Sequence, residues 1–282
     1  MMNKELPHLR KAIYGQPWAI TDTWLDAICD IFEANVSGAN PKAFEAAAHD
    51  LSDDEGRDYQ VVDGVAIIPV MGPIFPRANI LTKMSGATSL DVFTRRLDDA
   101  INDDGAMAVM IHIDSPGGSV MGLAEAATKV FNARGGKPIV SLAEGTAASA
   151  AYMIGSQADY FYATEGSVIG SIGTIARIDS QDRAMKNAGV DSVIFRSSEL
   201  KAAGNGPMTP RQEDSMRKML QTFFAMFKDA VLRGREGIDI EAVATGEVWI
   251  GSEAVDLNLI DGIMTFDDVI REWSGSAIAE MV

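Results

Sequence analysis

Apolar and polar positions follow two different rhythms along the chain, and the rhythm changes near residue 58. Before it, Trp24, Leu25, Ile28, Ile31 and Phe32 recur at the three-and-four spacing of a helix, and the polar stretch HDLSDDEGRD follows. This predicts a helical extension over residues 1–58, separate from the rest. Beyond it, short β-rich runs alternate with amphipathic stretches, the pattern of βαβ units around a buried sheet. VVDGVAIIPVMGPI reads as one or two strands, Ser89 to about Asp103 as a helix burying Leu90, Phe93, Leu97 and Ile101, and AMAVMIHI as a central strand. The turn DSPGG leads into the helix SVMGLAEAATKVFNAR, and GGKP breaks that helix before the strand PIVSLA. EGTAASAAYMIGSQA repeats the strand, turn and helix order. DYFYA, the Gly-studded SVIGSIGTIARI and a further strand, DSVIF, follow.

The most strongly signalled helix starts at Thr209. Thr is the N-cap, Pro210 occupies the first helical position, and Gln212 completes a capping box. Met216, Met219, Leu220, Phe223, Phe227 and Val231 share one face, a stripe better read as core or subunit interface than as a cofactor site. TFDDVIREW reads as a closing helix, and residues 268–282 as a C-terminal tail to a main domain of residues 59–267.

Composition narrows the function classes. With 47% hydrophobic and 23% charged residues, the 282-residue chain has enough apolar surface for a substantial core. A formal charge of −16 argues against nucleic acid as a partner, because phosphate binding needs clustered Lys and Arg. No apolar run approaches the roughly 18 residues of a membrane span, and the first residues carry no apolar stretch of the secretory kind, so no membrane association and a cytoplasmic location are expected. The single cysteine, Cys29, rules out an intrachain disulfide and a Cys-rich metal site; neither metal nor other cofactor is expected.

Two features could form a pocket together: the Gly117-Gly118 turn after one buried strand, and Ser149 at the start of a helix after another. Backbone N–H groups at a glycine turn can approach a substrate carbonyl, which makes Gly118 a candidate oxyanion donor. The N–H of Ala150, next to Ser149 at a helix start, is the second candidate. Taken separately, a Pro-Gly-Gly turn is more often only a turn, and a Ser among alanines only a packing residue. A serine hydroxyl also needs a base. His8 and His49 fall in the extension, and His112 in an apolar strand reads more simply as a core residue. A lysine can serve instead if its pKa falls from about 10.4 towards neutrality, and Lys201, in the loop-like RSSELKAAGNGP, is the candidate.

These motifs resemble the signal peptide peptidase A family of serine peptidases, in order and in spacing, from roughly Val61 to Asp267. The chain carries Ser115-Pro116-Gly117-Gly118, Ala147-Ala148-Ser149, Gly170-Ser171-Ile172-Gly173 and then Lys201. The resemblance implies an α/β ClpP/crotonase-like spiral of ββα units. It also implies a Ser/Lys dyad hydrolase with Ser149 as nucleophile, Lys201 as base, Gly118 and Ala150 as oxyanion donors and Ser171 orienting the lysine amine. The chain has Ala150-Ala151 and Ser197-Ser198 where the family often has glycine. The head maturation (capsid assembly) proteases of tailed phages and prophages look similar, including an N-terminal LPHL, which implies a capsid or scaffold polypeptide as substrate and a homo-oligomeric state. The alternatives are a bacterial peptidase that degrades signal peptides, a non-catalytic assembly protein on the same fold, and a crotonase-like acyl-CoA enzyme. The last would need an acid pair; Asp114 and Glu125 read more simply as a turn former and a solvated helix residue.

Overall fold

The computed structural model describes residues 13–36, 59–78, 86–178, 186–187, 189, 193, 195–201 and 207–274. Three strand-to-helix turns of chain build its centre. In the first, β3 (Val65–Met71) enters a large sheet, β4 (Ile74–Phe75) and β5 (Thr88–Ser89) enter a small one, and α2 (Leu90–Ile101) returns. In the second, β6 (Ala108–Ser115), β7 (Gly117–Ser119) and α3 (Leu123–Asn132) repeat that path, and the third runs from β8 (Ile139–Ala148) straight into α4 (Ala150–Gly155). This is the α/β spiral of ββα units that the resemblance implies. The large sheet adds β2 (Gln60–Val62), β9 (Tyr160–Ala163), β10 (Val168–Gly170), β11 (Val248–Ile250) and β12 (Gly262–Ile263). Its central pairs, β3 with β6 and β6 with β8, are parallel.

The parallel strands are apolar on both faces because both are covered. Along β6, Val109, Ile111 and Ile113 face the helical side with Leu97 and Val130, whereas Ala108 and Met110 face Val269, Ile270 and Trp273 of the last helix, Phe266–Trp273. His112 falls on that second face by the same alternation. Its ring packs 5.3 Å from Phe266 and its Nε2 lies 2.8 Å from a Glu144 carboxylate oxygen.

The sequence-predicted helix at Thr209 is α5 (Pro210–Gly234), and its capping box is formed as expected: Thr209 Oγ1 accepts from Gln212 N–H, and Gln212 Oε1 accepts from Thr209 N–H. Its apolar stripe is fully buried only at the C-terminal end, at Phe227 and Val231, while Met216 and Met219 stay half-buried. Gly234 lets the helix end press onto the neighbouring chain, since a Cβ there would lie 2.1 Å from Ser156 O. Past it, Arg235, 8% exposed, donates to Asp261, whose carboxylate also accepts from Phe161 N–H at 2.6 Å. Asp261→Ala would leave a buried guanidinium without its counter-charge and a strand N–H unpaired, and is expected to cost about 2–4 kcal/mol. Urea unfolding checks this, with Asp261→Asn losing less.

The extension departs most from expectation. A helix is there, α1 (Asp22–Val36), but just before it residues Trp18–Ile20 form a strand, β1, paired antiparallel with β7 in the small sheet. Ile13, Trp18, Ile20, Leu25, Ile28 and Cys29 pack with Phe75 of β4. Over its described residues, then, the extension is part of the main body. Three residues of strand followed at once by a helix carry too little period-two signal to register as a strand. The DSVIF segment lies largely outside the described residues, as does the tail after Ser274.

Candidate active site

Ser149 ends β8 and precedes α4, and the abrupt change of direction puts its backbone at φ 54°, ψ −118°. That region is strained for any residue with a Cβ, at a cost of order 1–3 kcal/mol. The surroundings hold it there: Ser149 N–H donates to Gly170 O at 2.7 Å and Met153 N–H to Ser149 O at 2.9 Å. The side chain is 1% exposed, and its Oγ has no hydrogen-bond partner. A buried hydroxyl without a partner forfeits about 1–3 kcal/mol, so conformation and desolvation both oppose this placement, as is frequent for groups positioned for chemistry.

The Ser115-Pro116-Gly117-Gly118 turn lies against it. Ser115 Oγ, fully buried, accepts from Gly117 N–H at 3.2 Å and so fixes the turn. Gly117 has φ 104°, and a Cβ built on it would lie 2.9 Å from Ser149 Cβ and 3.0 Å from Ala150 N. The glycine turn, the serine and the first N–H of α4 therefore converge on one point, and glycine is required there on both conformational and steric grounds. Gly118 is pressed on β4, with a Cβ position only 2.1 Å from Ile74 O.

Ser171 joins this group through sheet register. β10 runs parallel to β8 with Ile169 opposite Ala147 and Gly170 opposite Ala148, which brings Ser171 to the level of Ser149. It too is left-handed, at φ 52°, and its N–H donates to Glu247 O at 2.6 Å. Ser171, Ala148, Pro116 and Thr146 line a cleft of about 890 Å³, whose other walls include Thr21 to Trp24, Ile175 and, from α5, Arg217, Leu220 and Phe224.

Lys201 is not in this cleft. It sits on an exposed turn, its N–H donating to Ser198 O, and among the described residues Ser149 Oγ has no hydrogen-bonded base. The turn is tied instead to the start of α5: the Glu199 carboxylate accepts from Thr209 Oγ1 and Arg211, and Glu199 O accepts from Gln212 Nε2. Leu220, which borders the cleft, is eight residues further along that helix, about 12 Å away at the α-helical rise. His112 faces the opposite side of the sheet. Asp114 accepts from Thr146 N–H and fills the space a Gly145 side chain would need, so its work is to shape the β8 strand; Glu125 is exposed on α3. Among the described residues no three His, Cys, Asp or Glu side chains gather as a metal site, and no helix is long and apolar enough to cross a membrane.

With this geometry in hand, residues 132–277 match the family model described as peptidase family S49, a stretch that holds Ser149, Ser171 and Lys201. Among curated relatives, the chain is 31% identical to a head-tail preconnector protein of Enterobacteria phage P21, over 76% of this chain and 43% of that one. It is 29% identical to capsid assembly protease C of Escherichia phage lambda, over 95% of this chain and 65% of that one. The chain thus spans about half to two thirds of the length of these relatives. A membrane-bound stomatin-specific protease of known structure aligns with a TM-score of 0.43 at 13% identity, covering 76% of this chain and 81% of that one.

Proposed function

Since the chain belongs to peptidase family S49, we propose that it is a serine endopeptidase in which Ser149 attacks the peptide carbonyl and Lys201 takes its proton. The observation that carries this reading is Ser149 itself: a buried, unpartnered hydroxyl on a strained corner, packed against a glycine turn and the first N–H of α4. The tetrahedral oxyanion would rest on the N–H groups of Gly118 and Ala150, and water would release the acyl group. Ser171, beside Ser149, would orient the lysine amine.

Lys201 reaches Ser149 in the assembled protein, delivered by a second copy. Three observations support this. Lys201 is exposed, its turn is anchored at the start of α5, and large apolar side chains of the same segment stand out, with Phe195 94% exposed and Leu200 42% exposed. Exposed apolar surface of this kind is a mark of an interface. Ser149→Ala and Lys201→Ala proteins should each be inactive alone, and their co-assembly should restore cleavage, because some interfaces would then pair an intact serine with an intact lysine. Cleavage of an added polypeptide, followed by mass spectrometry, reads this; no restoration in mixed oligomers would place the base within one copy. A lysine accepts a proton only when neutral, so kcat/KM should climb towards alkaline pH.

The substrate we propose is a capsid or scaffold polypeptide, on the strength of the relative named a capsid assembly protease. Co-expression with candidate capsid and scaffold proteins and mass spectrometry of the products tests it: Ser149-dependent truncation of one of them is the expected result.

A further inference from the structure

The small sheet contains a strand that the chemistry does not call for. β1 is held on both edges. On one, Trp18 exchanges hydrogen bonds with Ile175, each N–H donating to the other carbonyl at 2.8 Å. On the other, it runs antiparallel to β7, with Trp18 opposite Ser119, Ala19 opposite Gly118 and Ile20 opposite Gly117. Thr21 N–H donates to Pro116 O. Hydrogen-bonded pairs alternate along an antiparallel ladder, so Ala19 and Gly118, two residues on, are the next pair to exchange bonds. The Gly118 N–H, the expected oxyanion donor, is therefore given to the carbonyl of Ala19.

That carbonyl is beside the serine. A Cβ built on Gly117 would lie 2.2 Å from Ala19 O, 2.9 Å from Ser149 Cβ and 3.0 Å from Ala150 N, so all three converge on one glycine. A peptide about to be cleaved must place its carbonyl oxygen on the Gly118 and Ala150 N–H groups and its carbon next to Ser149. Ala19 backbone takes up that space, in the extended antiparallel form by which sheet edges capture peptides. Ser149 is meanwhile 1% exposed, and an outside polypeptide would need the space beside Gly117 that Ala19 O holds.

We propose that residues 18–20 are an intramolecular occupant of the substrate groove, and that the peptidase is held inactive until this strand leaves the slot between Gly117–Ser119 and Ile175. The inference rests on the serine peptidase reading and adds its regulation. The strand is anchored by Trp18, whose ring is buried, meets Phe75 edge-on at 5.8 Å and donates from Nε1 to Ile13 O.

The test is a binding measurement with a fluorescent synthetic peptide of residues 14–22, made in the full-length Ser149→Ala background so that nothing is cleaved. Trp18→Ala, which removes the anchor, and Ala19→Pro, which removes the N–H facing Gly118 O, should each tighten peptide binding at least 10-fold; a thermal melt selects whichever variant stays folded. Equal binding to the parent and to a folded variant, or no binding to either, overturns the proposal. With Ser149 restored, the same substitutions should raise cleavage of an added polypeptide by a similar factor. Tighter binding without any Ser149-dependent cleavage would sink the peptidase reading and leave the strand-occupancy inference standing, whereas Ser149-dependent cleavage with unchanged binding would do the reverse.

Discussion

Ser149→Ala is expected to lower cleavage of a polypeptide substrate by at least ~10⁴-fold, on the scale of nucleophile removal in well-studied serine peptidases, while leaving the protein folded. The structure makes the second half of this result specific. Ser149 Oγ makes no hydrogen bond and is sealed from solvent, so deleting it removes an unsatisfied polar atom rather than a contact. The melting temperature should therefore hold or rise. The strain at φ 54°, ψ −118° belongs to the backbone and persists in the alanine variant; Ser149→Gly relieves it, and should be the more stable of the two by about 1 kcal/mol. Cleavage assays and thermal melts on the three proteins read both effects. Loss of activity with a large fall in melting temperature would mean that the hydroxyl is structural, and retained activity would remove Ser149 from the mechanism.

Gly118→Ala should damage both fold and chemistry. A Cβ at this position meets Ile74 O at 2.1 Å and Ile74 Cβ at 2.5 Å, and both belong to β4, the strand on which β7 lies. Neither can swing away as the tip of a flexible side chain could, so the two strands must separate. Overpacking of this kind costs about 1–3 kcal/mol. The same displacement moves the Gly118 N–H, and loss of one oxyanion donor lowers kcat by about 10²–10³-fold. Gly166→Ala is the control, because nothing lies within 4 Å of a Cβ there and its backbone is not left-handed. A Gly118→Ala protein with near-normal kcat would show that the donor is another group. One with normal stability would show that β4 yields more easily than its backbone contacts imply.

The two predictions differ in how far the sequence alone supports them. Ser149 was legible as a candidate through the order of motifs: a glycine turn after one buried strand, a serine among alanines after the next, and a serine-glycine segment after that. The helices were legible as well, because a period of 3.6 sustained over ten or more residues, or a capping box such as that of Thr209 and Gln212, is set by local physics. Leu90, Phe93 and Leu97 lie buried on α2 as their spacing requires, with Ala100 taking the place expected of Ile101, which is only half-buried.

Tertiary structure decided the rest. That Gly118 must lack a side chain because of Ile74, 44 positions earlier, follows from the pairing of β4 with β7 and from nothing local. That His112 turns towards Phe266 and Glu144, away from the serine, depends on which face of a doubly covered sheet its parity selects. Lys201 could be named from its motif, yet its exposure on a turn tied to the start of α5 was invisible. So was the strand at Trp18–Ile20, which lies across the Gly117-Gly118 turn. Local patterns encode helices and turns because the interactions that form them span a few residues. A site is a meeting of carbonyls, N–H groups and side chains from residues 19, 74, 117, 149 and 170, and only the packing of the whole chain brings those together.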